Sequence, residues 1–403
     1  MRFFTHRNPE KSTLTKDDRY LYKSNTAPEL YIGLMSGTSL DGIDAALVEF
    51  KGQKTRLIDF HYQPFSHDLR QQIQHLSQPE LPVLLRDYGS IDTQLGLLFA
   101  ETSLELLKKT NISPTAIMAI GSHGQTVYHA PNGKLGFSLQ IGDPNRIAQI
   151  TGITTIGDFR RRDIAIGGQG APLVPAFHQA VFADAENTTT VLNIGGIANI
   201  SVLENDQILG FDTGPGNTLM DFWCLLNQGQ SYDYNGNWAS QGHIIPALLQ
   251  HLLDDDYFRL PPPKSTGKEY FSAEWLQEKI AVYPNTKPED IQATLCRLTA
   301  TSIADAIMQQ AASSQKILVC GGGVHNKQLL AELTAQLPIP LISTSDYGID
   351  PDHVEAMAFA WLARQTLNNL PGNLCRVTGA SAPAILGGIY PGHNGLKGKN
   401  PNC

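Results

Sequence analysis

A short apolar strand that breaks on glycine and at once resumes as a second strand occurs twice in this chain, about 160 residues apart. The first copy runs Leu30-Tyr31-Ile32-Gly33-Leu34, breaks at Ser36-Gly37-Thr38-Ser39-Leu40-Asp41-Gly42, and returns from Ile43 to Phe50. The second follows the polar stretch Asp184 to Thr189. It runs Val191-Leu192-Asn193-Ile194, turns at Gly195-Gly196, and returns from Ile197 to Leu203. A third strand there, Gln207 to Phe211, ends on Asp212. Each copy is a hairpin whose tip exposes backbone N–H groups. A chain that opens both halves with one device is expected to form two related lobes facing each other, although the halves do not align as a sequence repeat.

The remaining pattern fits such an α/β chain. Apolar residues recur at helical spacing from Leu95 to Leu107, Ile291 to Ala312 and Val354 to Leu370. Short buried strands are predicted at Ala116 to Ile120, Ile153 to Ile156 and Ile317 to Cys320. With 403 residues the chain can bury substantial cores without disulfides. The net charge of −8 argues against nucleic acid or an anionic membrane as partner, so an anionic substrate must be held by local donors. Five cysteines with no C-x-x-C pair suit a reducing cytosol rather than a disulfide or zinc framework. No secretory h-region or bilayer-spanning run is present, and the expected location is cytoplasmic.

Five glycine-rich turns could carry chemistry. In Gly37 to Asp44, glycines permit close approach of an anion and the hydroxyls add donors, although an ordinary hairpin turn would use the same residues. Asp41 within it suggests a hydrated Mg²⁺ beside phosphates. Asp212-Thr213-Gly214-Pro215-Gly216-Asn217 offers a carboxylate that a substrate can reach, or a structural Asx-turn. Asp158-Phe159-Arg160-Arg161-Arg162-Asp163 precedes Gly167-Gly168-Gln169-Gly170-Ala171-Pro172; at least one guanidinium there could fork a carboxylate, or the run could be a solvated face. Gly121-Ser122-His123-Gly124-Gln125-Thr126 is another strand-to-glycine turn. Gly321-Gly322-Gly323, leading to the helix-capping Asn326, has the form that seats nucleotides in many folds. Gly267-Lys268 is followed by Glu269 and lacks the upstream glycine of a Walker loop, and no complete G-x-G-x-x-G, G-x-S-x-G or H-E-x-x-H occurs.

Taken in order, these segments resemble the anhydro-N-acetylmuramic acid kinases. The opening Ile32-Gly33-Leu34-Met35-Ser36-Gly37-Thr38-Ser39-Leu40-Asp41-Gly42-Ile43-Asp44 looks like that family's signature, and the likeness extends through Glu355-Ala356-Met357-Ala358-Phe359-Ala360-Trp361 to about residue 391. The resemblance implies an actin-like, ribonuclease H-like α/β fold of two lobes. Each lobe would be a mixed five-stranded sheet flanked by helices, with an interlobe active-site cleft. Residues 29–187 would form the first lobe, joined by 371–391, and 188–370 the second, between flexible segments 1–28 and 392–403. It also implies ATP and Mg²⁺, phosphates held by Gly37, Thr38, Ser39, Leu40, Asp41, Gly42, Ile43 and Asp44 against Gly195 and Gly196, and adenosine held by Gly321, Gly322, Gly323 and Asn326.

By the same resemblance, Asp212 would be the catalytic base. Arg162, Glu355, His123, Gln125 and Asp158 would contact or support the sugar. The implied reaction belongs to peptidoglycan recycling. Water opens the 1,6-anhydro ring of anhydro-N-acetylmuramic acid and ATP phosphorylates the 6-oxygen. A kinase for an ordinary sugar and a catalytically inactive ATP-binding regulator are the competing readings, and a homodimer is compatible with the exposed helices.

Overall fold

Three strands in succession open the described residues: β1 (Glu29–Ser36), β2 (Gly42–Lys51) and β3 (Lys54–Pro64) form an antiparallel meander. β1 and β2 are buried along most of their length, as strands covered on both faces must be. β4 (Ile117–Ala130) lies parallel to β1, β5 (Phe137–Ile141) folds back on β4, and β6 (Thr155–Gly157) runs parallel to β4. Parallel neighbours need crossovers. The helices Leu85–Thr110 and Pro144–Thr151 supply them.

The second half repeats this plan. β7 (Thr189–Ile194), β8 (Ile197–Glu204) and β9 (Gln207–Pro215) form a meander. β10 (Lys316–Cys320) is parallel to β7, and β11 (Leu341–Ser343) is parallel to β10, with the helices Pro288–Gln310 and Lys327–Gln336 as crossovers. The orders β3-β2-β1-β4-β6 and β9-β8-β7-β10-β11 correspond strand for strand. The first sheet, however, has seven strands rather than the expected five. β4 continues past the end of β1, and its far half is satisfied by β5; β12 (Gly388–Tyr390) covers the open edge of β6.

The computed structural model describes residues 27–393, apart from 38–39, 79–80, 185 and 205–206, so the expectations for the 1–28 and 392–403 segments lie almost wholly outside the described residues. Among the described residues no helix is long and apolar enough to cross a membrane.

Two helices change sides relative to the expected boundaries. Val354–Leu367, expected with the second lobe, packs on β1, β4 and β2, whereas Val174–Phe182, expected with the first, packs on β8 and β9. The two touch through Phe177 and Trp361, whose rings stand 6.3 Å apart. The reason is that Val354–Leu367 is apolar nearly all round, which requires cover on every side. It sits in one core with Tyr31, Ala46 and Ala119 of the first sheet and Val191, Leu203 and Leu318 of the second.

This helix approaches the strands without room for side chains. A Cβ on Gly33 would overlap the Ala356 carbonyl, and one on Gly121 the Phe359 carbonyl. Gly33→Ala or Gly121→Ala is therefore expected to destabilise the protein by about 3 kcal/mol, since helix and sheet must part. Gly89→Ala, on an exposed helical turn with open space around it, should instead stabilise by about 1 kcal/mol. Urea midpoints of the three variants check both signs.

Candidate active site

The tips of the two hairpins are built differently. At the first, the single hydroxyl proton of Ser36 is shared between the Gly42 carbonyl, 2.9 Å from Oγ, and Gln125 Oε1, at 2.6 Å, pinning the turn to β4. Gln125, expected at the sugar, is fully buried and engaged in this support. Leu40 adopts φ +57°, and its N–H returns to the Gly37 carbonyl. Thr38 and Ser39 lie outside the described residues. At the second tip the carbonyls of Gly195 and Gly196 accept N–H groups from Gly216, Asn217 and Thr218. A Cβ on Gly216 would overlap the Gly195 carbonyl, so only glycine permits this clasp. It fixes the tip to the first turn of the helix Thr218–Gln228, which carries Asp221.

Asp212 lies inside β9, opposite Asn199, rather than just past a strand end. Its backbone N–H donates to the Lys264 carbonyl at 3.1 Å, its carbonyl accepts the Tyr257 hydroxyl at 2.7 Å, and its Oδ2 accepts the Thr266 N–H at 3.0 Å. Burial pushes the carboxyl up to about 6; the charge of Glu269 adds to this and the Thr266 N–H opposes it. The group is thus ionised at neutral pH yet more basic than an ordinary carboxylate.

On the first-lobe wall Asp44 is raised to about 7, mainly by burial and then by the charges of Glu355, Asp352 and Asp41. Glu355, in the first turn of Val354–Leu367, is also raised by burial; the Arg160 charge and a 3.4 Å hydrogen bond from Asn193 hold it down. Arg160 donates to His123 Nε2 from Nε at 3.2 Å and from Nη2 at 2.8 Å, and to the Gly170 carbonyl from Nη1 at 2.8 Å. Burial brings this guanidinium down to about 10, with Glu355 opposing. His123, buried and packed at a tilt against Phe359 with ring centroids 4.7 Å apart, falls to about 3 through burial and the Arg160 charge, and so accepts as a neutral ring.

These contacts select among the expected sugar residues. His123 accepts from Arg160, whose charge also acts on Glu355; among the three arginines the expected sugar contact was Arg162. Arg162 is exposed, and Asp158 is committed to Arg161 in a 2.6 Å ion pair. Phe159 and Asp163 are buried on one face of Phe159–Ala165, which turns Arg161 to the opposite side and leaves Arg160 and Arg162 on its two flanks; His123 and the Gly170 carbonyl lie on the Arg160 flank and draw that side chain in, while Arg162 stays exposed.

Gly321, at φ +81°, donates to the Pro351 carbonyl, and Gly323 packs against Ile194 where a Cβ could not fit. Asn326 caps the following helix by accepting the Leu329 N–H at 3.0 Å. Gly322, His325 and Asn326 line a cavity of about 390 Å³ that is closed on its other side by Asn217, Met220, Asp221 and Tyr232 to Asn235. Asp221 is pushed up to about 7 by burial, opposed by Lys268 and reinforced by Asp41 and Asp233. A larger hollow of about 560 Å³, between the helices His67–Leu76 and Leu85–Thr110, contains none of these groups.

Two sheets of one strand order, with glycine hairpins, buried carboxylates and a glycine-lined cavity, define a two-lobed α/β protein. A family model described as anhydro-N-acetylmuramic acid kinase matches residues 29–392. Proteins of that name from Pasteurella multocida and Photobacterium profundum are 52% and 49% identical over 364 and 374 residues; these matches cover 90% and 91% of this chain and 96% and 99% of the relatives. The chain belongs to the anhydro-N-acetylmuramic acid kinase family. Solved structures match more loosely: a ROK family glucokinase from Streptomyces griseus, in complex with glucose and AMPPNP, gives a TM-score of 0.39 at 11% identity, covering 83% of this chain and 99% of that one.

Proposed function

We propose that this chain binds ATP and 1,6-anhydro-N-acetylmuramic acid between its lobes, opens the anhydro ring with water, and phosphorylates the freed 6-oxygen. The observation that carries this reading is Asp212: a single carboxylate with one oxygen engaged by Thr266 N–H and its basicity raised to about 6. The substrate has no free 6-hydroxyl, so an ordinary sugar-kinase deprotonation has nothing to act on. Asp212 instead accepts a proton from the water that attacks the anomeric carbon. The bond from that carbon to the 6-oxygen breaks, and the 6-oxygen bonds to the γ-phosphorus as ADP leaves. A glycosidase needs a second carboxyl to protonate its leaving oxygen; here the phosphoryl group takes that place.

Gly37 to Asp44 and Gly195-Gly196 would face the phosphates from opposite lobes, and the cavity beside Gly322 and Asn326 would take adenosine. His123, Arg160 and Glu355 would face the sugar. Mg²⁺ suits this donor set. Among the described residues no three ligating side chains converge, so Asp44 and Asp41 would hold the ion largely through its waters, the mode that magnesium prefers. Burial and neighbouring carboxylates raise Asp44 to about 7, which marks a position that favours a cation. When bound with ATP, Mg²⁺ supplies charge neutralisation at the β- and γ-phosphates.

The test offers labelled ATP with either the anhydro sugar or N-acetylmuramic acid, in ¹⁸O-water. Transfer to the anhydro sugar, with ¹⁸O at the anomeric position of the product, is expected. Phosphorylation of N-acetylmuramic acid alone would replace this reading with an ordinary sugar kinase.

A further inference from the structure

The segment between the helices Asp256–Arg259 and Ala273–Ile280 includes the Gly267-Lys268 pair that fits no Walker loop. Its first part braces the base. The Lys264 carbonyl receives the Asp212 N–H and the Thr266 N–H donates to Asp212 Oδ2, while Lys264 Nζ donates to the Tyr257 carbonyl at 3.1 Å. Two residues after Thr266 the chain delivers a second lysine to the tip of the β7–β8 hairpin. A Cβ placed on Gly196 would stand 2.8 Å from Lys268 Cε and 3.6 Å from its Nζ, so the absence of a side chain at Gly196 makes room for the lysine stem.

The charges around this ammonium come from both lobes. Asp41 on the β1–β2 turn and Asp221 on the helix Thr218–Gln228 attract it, and Arg70 repels it. Burial lowers the ammonium from the usual lysine range, and the two carboxylates oppose that. Asp44, Asp212, Asp221 and Glu355 place only carboxyl groups along these walls, so a polyphosphate entering there needs cations at its terminal oxygens from elsewhere.

We propose that Lys268 is a phosphate-binding residue of the reaction, its ammonium resting over Gly196 near Asp41 and Asp221 and engaging the γ-phosphoryl oxygens when ATP is bound. The inference rests on the ATP reading above but not on the identity of the sugar. Because the same segment holds Asp212, it sets the base and the phosphoryl group at a fixed separation. The terminal phosphate gains a donor on the second-lobe wall that no glycine motif predicts.

The experiment is calorimetric titration of wild type, Lys268→Met, Lys268→Gln and Lys268→Arg with Mg²⁺–AMPPNP and with AMP, without sugar. Melting curves confirm that each variant is folded, and the glutamine form serves if the methionine form is not. Loss of the ammonium should weaken AMPPNP about 10- to 100-fold, the range for a charge-assisted hydrogen bond, with AMP within about 2-fold of wild type. Lys268→Arg should recover most of that loss. Equal weakening of both nucleotides, or AMPPNP affinity within about 2-fold of wild type in the neutral variants, would overturn the assignment. Nucleotide binding that follows the prediction in a protein inactive on the anhydro sugar would keep Lys268 and remove the sugar; failure of wild type to bind either nucleotide would remove both.

Discussion

Asp212→Asn is expected to lower turnover by about 10²–10⁴-fold while leaving ATP and sugar binding near wild type. Asparagine preserves the shape and keeps a carbonyl oxygen for the Thr266 N–H, so the strand and its supporting loop should stay in place. What disappears is the ability to take a proton from water. Single-turnover rates and equilibrium binding separate the two effects. Turnover within about threefold of wild type would remove Asp212 from the base role.

The pH dependence follows with a definite sign. A general base works ionised, and the folded Asp212 carboxyl is raised from 3.8 to about 6. With sugar varied at saturating ATP and Mg²⁺, kcat/KM should rise with pH and level off above about 6, reporting the form that meets the sugar. Stability runs the other way. Between 3.8 and about 6 the folded state binds the extra proton, so this group's contribution falls as pH rises through that window. The asparagine variant has no charge to desolvate and should melt at the same or a higher temperature at pH 8. On the proposed role, a carboxylate that opposes stability is the expected compromise.

The strands that order both lobes were legible because they are continuous apolar runs bounded by glycine; β1, β2, β7, β8 and β10 fall close to where the sequence puts them. β3 was not. In Lys54–Pro64 polar residues break up the apolar ones everywhere except at Leu57-Ile58, and no residue of this edge strand is fully buried. Helix Val354–Leu367 was visible as a helix, but its uniform apolarity carries no direction, so which sheet it serves could not be read. At the cleft, Asp212 was marked by the glycines that follow it. Arg160 was hidden in a run of three arginines: the helical phase set by Phe159 and Asp163 turns Arg161 away but leaves Arg160 and Arg162 on equivalent flanks, and only the folded chain brings His123 and the Gly170 carbonyl to the Arg160 side. Lys268 was equally unreadable, because a loop has no period and only the folded chain brings it over Gly196.

The second large effect concerns which arginine serves the sugar. Arg160→Gln is expected to reduce kcat/KM for the anhydro sugar about 100-fold, the equivalent of losing about 3 kcal/mol from two charge-assisted hydrogen bonds. A guanidinium has five donors, and the contacts to His123 and Gly170 use three of them. The remaining two suit the carboxylate of a muramic acid, and the fork geometry favours that group. The same guanidinium also compensates Glu355, whose carboxyl burial already raises. Without Arg160 that carboxyl should rise further, so the variant should lose stability more steeply than the parent as pH rises above the ordinary glutamate range. Glu355→Gln added to Arg160→Gln should flatten the profile, because no buried charge is then left uncompensated. Arg162→Gln alters an exposed side chain and should shift stability by no more than about 0.5 kcal/mol at any pH. If Arg162→Gln instead caused the larger loss in kcat/KM, and the Arg160 profile did not steepen, the sugar contact would belong to Arg162 and Arg160 would only support His123.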